Sequence, residues 1–339
     1  KGVINSSWGR GPFESLYRYG IDYRKIVDAG VDGIIVETAA AGLHLDMFAD
    51  ALAGFQGVAQ DTKDITTLGR GGSDTTAVAL FFFNDTATTE IYTDVDGVFS
   101  ADPRLVPAAR QVPYITYEEM LELAAHGAKV LHLRCVEYAR RFDVPLRVRS
   151  SFTDKPGTLV VHEIEESIAM EQPIISGVSQ DLSEAKITVT AVPDRPGEAA
   201  LVFETLADLG VNLDMIVQNV SADGSTDITF TLPTADLGAA SAALLGRQEE
   251  IGFGELLQDE GIAKVSLVGA GMRSHPGVSA TFFRTLADAG VNVEMISTSE
   301  IRISVVTRAE DAAKAVQALH SSFGLDAEGE AVVYAGTGR

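Results

Sequence analysis

Residues 194–216 read DRPGEAALVFETLADLGVNLDMI, and residues 274–296 read SHPGVSATFFRTLADAGVNVEMI. The two align without a gap at an offset of 80, pairing Pro196 with Pro276, Gly197 with Gly277, Gly210 with Gly290, Asn212 with Asn292 and Met215 with Met295. A repeat of this kind is one supersecondary unit used twice. Each copy follows an alternating apolar run, KITVTAV (186–192) or KVSLVGA (264–270), as a half-buried strand requires. In the first copy Val202, Phe203, Leu206 and Leu209 recur at helical period. Gly210 and Gly290 stand where a helix ends, because glycine enters the left-handed region at little cost. TDITFTL (226–232) and IRISVVT (301–307) predict further strands. The unit is expected to be β–loop–α–β–β plus another helix, twice, over repeats 186–262 and 264–335, each an α+β sandwich with an antiparallel sheet.

Upstream the pattern changes. ITTLGRGGSD, EIYTDVDGVFS and VPLRVRS alternate with helical stretches such as TYEEMLELAAHGAKVL (116–131), which predicts an α/β domain with a mainly parallel sheet over 49–161. HEIEESIAMEQP (162–173) reads as a linker, leaving 174–339 to the tandem repeats. RKIVDAGVDGIIVET (24–38) resembles one helix–strand unit and KGVINSSWGRGPF is irregular, so residues 1–48 stay unassigned.

The charge balance limits the partners. Among 339 residues, 26 Lys+Arg against 48 Asp+Glu give a formal net charge of −22. Such a surface repels phosphate backbones and anionic lipid, so neither nucleic acid nor membrane is expected as a main partner. An anionic substrate then needs local Arg, Lys or Mg²⁺. A single cysteine, Cys135, in an apolar run builds neither an internal disulfide nor a zinc cluster, which fits a reducing cytoplasm. No apolar stretch approaches ~20 residues. Lys1 is not an initiator Met, so the chain is expected to begin inside a longer reading frame.

Two stretches carry chemistry. In TTLGRGGSD (66–74), three glycines around Arg70 let backbone N–H groups approach an anion, and Asp74 or Ser73 is expected to cap the helix that follows. Arg70 can grip a carboxylate with its guanidinium fork; the plain alternative is a tight turn that needs glycine. In YTDVDGVFSADPR (92–104), Asp94, Asp96 and Asp102 cluster after a strand beside Arg104. They suit Mg²⁺ with waters, or a ribose or adenine edge, or else form an acidic Asp-Pro turn. GAGMRS (269–274) imitates a dinucleotide turn, but Ser274 stands at its sixth position, so it reads as a repeat-specific loop. His126, His132, His162, His275 and His320 show no metal-ligand spacing, and no residue is assigned to a metal.

The segments GFQGVAQDTKDITTLGRGGSDTTAVAL, IYTDVDGVFSADPRLVP, EEMLELAAHGAKVLHLRCVEYA and VPLRVRSSF resemble the aspartate kinases (aspartokinases), in particular the actinobacterial type regulated by lysine and threonine. The likeness continues through SLVGAGMRSHPGV, STSEIRISV and AVVYAGTGR and covers about 49–339. It implies an α/β, partial amino-acid-kinase (carbamate-kinase-like) domain followed by two α+β ACT domains, which sense small molecules. It also implies transfer of the γ-phosphoryl group of ATP to the β-carboxylate of L-aspartate, with Mg²⁺, at the start of lysine, methionine and threonine synthesis. By the same resemblance Arg70, Gly71, Gly72 and Ser73 hold aspartate and Asp74 organises the catalytic centre. Tyr92, Thr93, Asp94 and the loop Val98, Phe99, Ser100, Ala101, Asp102, Pro103 and Arg104 line the nucleotide, and Lys129 reaches its phosphates. Feedback amino acids, lysine and threonine, are expected at Asp194, Arg195, Pro196, Gly197, Glu198, Ala199, Asn212, Leu213, Asp214 and Gln218 in the first copy. In the second copy the matching positions are Asn292, Val293, Ser299 and Glu300. The ACT repeats imply a homo- or hetero-oligomer, and a non-catalytic regulatory subunit is the alternative reading.

Two departures stand out. The family's N-terminal Lys-Tyr/Phe-Gly-Gly loop is absent from residues 1–48, so the chain is expected to be an incomplete form with a foreign segment joined near Phe48–Ala51. FFFNDTATTE (81–90) stands where the family carries an alanine-rich helix, and resembles translated sequencing-adapter sequence. Asn, Asp and Thr each lower helix propensity by several tenths of a kcal/mol relative to Ala. Phe81–Phe83 would overfill a site fitted to alanine at roughly 1–3 kcal/mol per position. No binding or catalytic role is expected of this stretch.

Overall fold

A computed structural model of the chain describes residues 3–4, 33–37, 57–58, 65–66, 72, 74–75, 77–78, 88–164, 173–220 and 224–334. They divide into two units. The first takes the chain up to Val178 together with Val268–His275 and the residues from Phe323 onward; the second takes Ser179–Leu267 and Pro276–Ser322.

The strands of the first unit are β1 (Val3–Ile4), β2 (Gly33–Glu37), β3 (Gly57–Val58), β4 (Ile65–Thr66), β5 (Thr89–Thr93), β6 (Tyr114–Thr116), β7 (Leu146–Ser150) and β8 (Thr158–Val161). Six form a sheet in the order β1-β2-β5-β7-β8-β6. Its pairings are parallel except β7 with β8, in keeping with the mainly parallel sheet expected. In β5 and β7 alternate residues are buried, so Ile91, Leu146 and Val148 face a core shared with Met120, Cys135, Val136 and Ala139. The last four come from helices α1 (Tyr117–Ala125) and α2 (Leu133–Phe142). Helix α1 opens with a capping box: Thr116 Oγ1 accepts from Glu119 N, and the Glu119 carboxylate accepts from Thr116 N. Residues 81–87, and 165–172 of the expected linker, lie outside the described residues.

The second unit contains the repeats. Their strands are β9 (Gly177–Asp181), β10 (Glu184–Pro193), β11 (Asp214–Val220), β12 (Ser225–Pro233), β13 (Leu256–Asp259), β14 (Ile262–Val268), β15 (Met295–Thr298) and β16 (Arg302–Arg308). Helices α3 (Glu198–Ala207), α4 (Leu237–Gly246), α5 (Gln248–Ile251), α6 (Val278–Asp288) and α7 (Ala312–Ser322) complete them. Gly210 and Gly290 carry φ of 71° and 65°, the left-handed exit that the sequence predicts after a helix. Val202 and Leu206 of α3 are buried against Ile187, Phe230 and Leu244, but Leu209 falls beyond the helix and is exposed.

The sheets run β11-β12-β10-β13 and β15-β16-β14-β9. The repeats are therefore interlaced. The edge strand beside β14 comes from before the first repeat, whereas the sequence expects the second copy to hold 264–335 in one block. Residues 323–334 belong to the first unit instead, where Ala327 N donates to Ala108 O and Ala331 N to Pro107 O. Periodicity shows which residues of a strand face inward but is silent on which neighbour it joins.

The two repeats exchange charges. Lys264, whose side chain is 1% exposed, places Nζ 2.7 Å from Glu184 Oε1 and 2.8 Å from Asp214 Oδ2. Lys186 reciprocally bonds Glu294, the residue equivalent to Asp214 at the offset of 80, with Asp259 at 3.8 Å. Arg308 joins that second cluster, 2.6 Å from Asp259 and 3.3 Å from Glu294. Met215 and Met295, again equivalents, pack with Ile262 and Val306. Burial opposes the charge on Lys264, but the Glu184 charge and the hydrogen bond to Asp214 outweigh it and raise the ammonium's pKa.

A raised lysine pKa contributes stability in full below its unfolded value of about 10.4 and loses it as pH climbs through the folded value. Lys264→Ala leaves two partly buried carboxylates uncompensated and is expected to cost about 3 kcal/mol, the low end for a broken buried pair because Asp214 keeps contact with water. Urea unfolding at pH 7 checks the loss. Unfolding above pH 10 should show the wild type falling toward the variant.

Candidate effector and nucleotide sites

Of the glycine loop, Arg70, Gly71 and Ser73 lie outside the described residues. Gly72, Asp74, Thr75, Ala77 and Val78 are helical and buried. Asp74 is itself helical and so is not an N-cap, while the other capping residue expected, Ser73, lies outside the described residues. Asp74 is 5% exposed. Burial, and then the charge of Asp74, push the Cys135 thiol well above its usual range, so this cysteine is a packed side chain and not a nucleophile.

The acidic turn after β5 is braced. Thr93 Oγ1 donates to Asp94 Oδ1 at 3.1 Å, and Arg104 pairs with Asp94 Oδ2 at 3.0 Å. Asp96, with a side chain only 4% exposed, accepts from Lys155 Nζ at 2.7 Å, Thr153 Oγ1 at 2.8 Å and Tyr334 OH at 3.2 Å. Asp102 Oδ1 accepts from Arg104 N at 2.9 Å, turning the chain. All three aspartates are therefore paired, and the described residues contain no group of three or more His, Cys, Asp or Glu able to hold a metal ion.

The positions expected to line a nucleotide separate by exposure. Thr93, Asp94, Val98, Ser100 and Ala101 are buried. Val98 N donates to Thr158 Oγ1, and Ser100 Oγ accepts from Arg110 N. Tyr92, Phe99 and Pro103 are half-buried, whereas Asp102, Arg104 and Lys129 are exposed. The Tyr92 hydroxyl donates to Glu90 at 2.8 Å; burial, then that bond, raise its pKa. Arg104 and Lys129 are the exposed cations of this group, suited to phosphate. Sequence reasoning missed Thr153, Lys155 and Tyr334, because no local pattern ties them to an aspartate 57 to 238 positions away.

In the first repeat the residues converge on a cavity. A bulge between Val189 and Val192 interrupts β10, with Ala191 at φ 52°. Bulges of this kind re-aim a strand end, here Val192–Asp194, toward the start of α3. The resulting cavity, of about 330 Å³, is lined by Val192, Pro193, the whole run Asp194–Ala199, Gln218, Thr226 and Ile228. Glu198 is 6% exposed; one carboxylate oxygen takes the Arg195 Nε–H, and Oε2 is buried with no hydrogen-bond partner. Helix α3 begins at Gly197, which offers no capping side chain, so its first-turn N–H groups favour an anion.

The remaining positions do not line this cavity. Asn212 is exposed and Leu213 packs on the first-repeat core, while Asp214 is bonded to Lys264 and to Met215 N. In the second repeat the Asn292 carbonyl accepts from Thr307 Oγ1, Val293 is half-buried, and Ser299 and Glu300 are exposed between β15 and β16. The copies also differ chemically: Val278 stands where the first repeat has Glu198.

Residues 187–246 and 265–323 match the ACT domain family model, and residues 25–150 match the Amino acid kinase family model. The latter match begins upstream of the boundary expected at 49 and takes in β2. The chain is 60% identical over 290 residues to an aspartokinase of Mycolicibacterium smegmatis, covering 85% of this chain and 69% of that one. It resembles the crystal structure of E. coli aspartokinase III in complex with aspartate and ADP (R-state), with 30% identity, a TM-score of 0.66, and coverage of 77% of this chain and 58% of that one. For the same enzyme in complex with lysine and aspartate (T-state), the identity is 30%, the TM-score 0.59 and the coverage 78% and 57%. The chain thus spans less than two thirds of the length of those solved structures.

Removing the Asp96 carboxylate orphans three donors. Asp96→Ala is expected to lower stability by about 2–4 kcal/mol, at 1.5–3 kcal/mol per hydrogen bond to a charged group less relaxation. It should also free residues 323–334 for early cleavage in limited proteolysis.

Proposed function

The chain belongs to the aspartokinase family, and on that premise we propose that it derives from an enzyme transferring the γ-phosphoryl group of ATP to the β-carboxylate of L-aspartate. In this reading the glycine loop Arg70–Ser73 receives aspartate, with Arg70 gripping a carboxylate and Asp74 organising the centre. Arg104 and Lys129 neutralise ATP phosphates, and Mg²⁺ accompanies the nucleotide. ATP supplies the phosphoryl group; the chain's own residues position it and offset its charge, which carry most of the catalysis in phosphoryl transfer. The product feeds lysine, methionine and threonine synthesis in the cytoplasm, and the ACT repeats assemble the chain into an oligomer.

The observation that carries the regulatory half is the cavity at the start of α3. An unpaired, buried Glu198 oxygen suits the ammonium of a free amino acid, and the first-turn N–H groups suit its carboxylate. Lysine and threonine are the effectors proposed. An unsatisfied buried carboxylate oxygen costs about 1–3 kcal/mol when empty, so a cationic ligand recovers that energy on binding.

Calorimetry on the chain with L-lysine and with L-threonine tests this. Binding of at least one is expected, weakened tenfold or more by Glu198→Gln, about 1.4 kcal/mol. No heat with either amino acid rejects the effector reading. In an ADP-release assay with aspartate, ATP and Mg²⁺, little turnover is expected, because the Lys-Tyr/Phe-Gly-Gly loop is missing from residues 1–48. Robust turnover would overturn the reading of the chain as an incomplete form.

A further inference from the structure

The GAGMRS stretch, which imitates a dinucleotide turn in sequence, serves another purpose in the first unit. A Cβ on Gly269 would come within 2.3 Å of the Ile174 carbonyl oxygen, and one on Gly271 within 2.8 Å of Ile174 Cα. Only glycine lets the two backbones lie this close. Between them, Ala270 N donates to Glu119 Oε1 at 2.8 Å. The same oxygen accepts from Ser176 Oγ at 2.6 Å, while Oε2 accepts from Thr116 N at 3.1 Å and Thr116 Oγ1 at 2.8 Å. Glu119 is 5% exposed. One buried carboxylate therefore joins the start of α1 to segments 173–178 and 268–275.

The neighbouring backbone extends the tie. Ser176 N donates to Val268 O at 2.8 Å, and Val178 N donates to Ser100 O at 2.7 Å. A Cβ on Gly177 would meet Ser100 O at 3.0 Å and Leu123 Cδ2 at 3.5 Å. Segment 173–178 thus rests on both α1 and the nucleotide loop Val98–Arg104. By chain continuity it runs into β9, and segment 268–275 runs out of β14, neighbours in the second repeat's sheet. At its far end α1 leads into HGAKVL, which carries Lys129.

We propose that Glu119 is a positioning residue that transmits the state of the effector repeats to the Lys129 and Val98–Arg104 loops. The proposal rests on the effector reading above. Hydrogen bonds weaken steeply as they lose alignment, and a buried carboxylate cannot surrender its donors to water. A shift of β9 against β14 must then either carry α1 along or break the clasp. A capping glutamate alone would need only Thr116; the donors from Ser176 and Ala270 are what a relay adds.

Hydrogen–deuterium exchange on the full chain decides the matter, with wild type, Glu119→Gln and Ser176→Ala, the last keeping the capping box intact. In wild type, saturating L-lysine or L-threonine should slow exchange in 192–199 and change it at least threefold in 117–131. In both variants the 192–199 response should persist while the 117–131 response falls below half. An unchanged 117–131 response in the variants, or none in wild type despite a response at 192–199, overturns the proposal. If 192–199 answers neither amino acid, the effector reading fails and the relay is judged without ligand. Lys264→Met, inside the repeat unit, must then raise exchange in 117–131 at least threefold with Glu119 present and not in the Glu119→Gln background. Equal behaviour in the two backgrounds, including no change in either, overturns it.

Discussion

The buried ammonium of Lys264, held between Glu184 and Asp214, is the constraint on which the repeat unit depends. A charge taken this far from water is tolerable only with its partners in place. One partner, Asp214, comes from the first repeat, while Lys264 lies within β14 of the second. Lys186 and Glu294 repeat the arrangement with the roles exchanged. Apolar contacts between Met215 and Met295 allow sliding, but paired charges at fixed hydrogen-bond distances do not. The two copies are thereby held as one body, with β9 and β13 closing opposite sheets.

That rigidity gives the first-repeat cavity its meaning. Glu198 retains a buried oxygen without a donor beside an uncapped helix start, on the lining of the first-repeat cavity. The second copy, with Val278 at the same position, has no such charge. Duplicated folds commonly diverge in this way: the packing residues Gly210 and Gly290 stay matched because backbone geometry demands them, while site chemistry is free to differ.

Much of the candidate site was readable from sequence, though unevenly. Asp194–Ala199 and Gln218 meet at one cavity because the repeat alignment identifies a strand–loop–helix start, and that geometry is local. Asp214 was expected to serve an effector but is bonded to Lys264, a partner 50 residues away. Asp94, Asp96 and Asp102 suggested a cation site, yet Arg104, Lys155 and backbone N–H groups satisfy them. Spacing marks a cluster of acids; whether those acids are free depends on residues that arrive from elsewhere in the chain. Asp74, expected as a possible cap, is itself helical, because helix ends read from capping preference shift by one or two residues.

The sequence by itself determined the α/β-then-repeat order, the first strand and first helix of each copy, their glycine ends and the position of the loop that lines the first-repeat cavity. All of these follow from hydrophobic period and backbone preference acting over a few residues. Only the tertiary structure decided that β9 joins the second repeat, that residues 323–334 return to the first unit, and that Glu119 gathers three segments. Strand partners and buried charge pairs are choices among distant alternatives of similar local fitness, settled by long-range packing and by the cost of leaving a buried polar group unpaired.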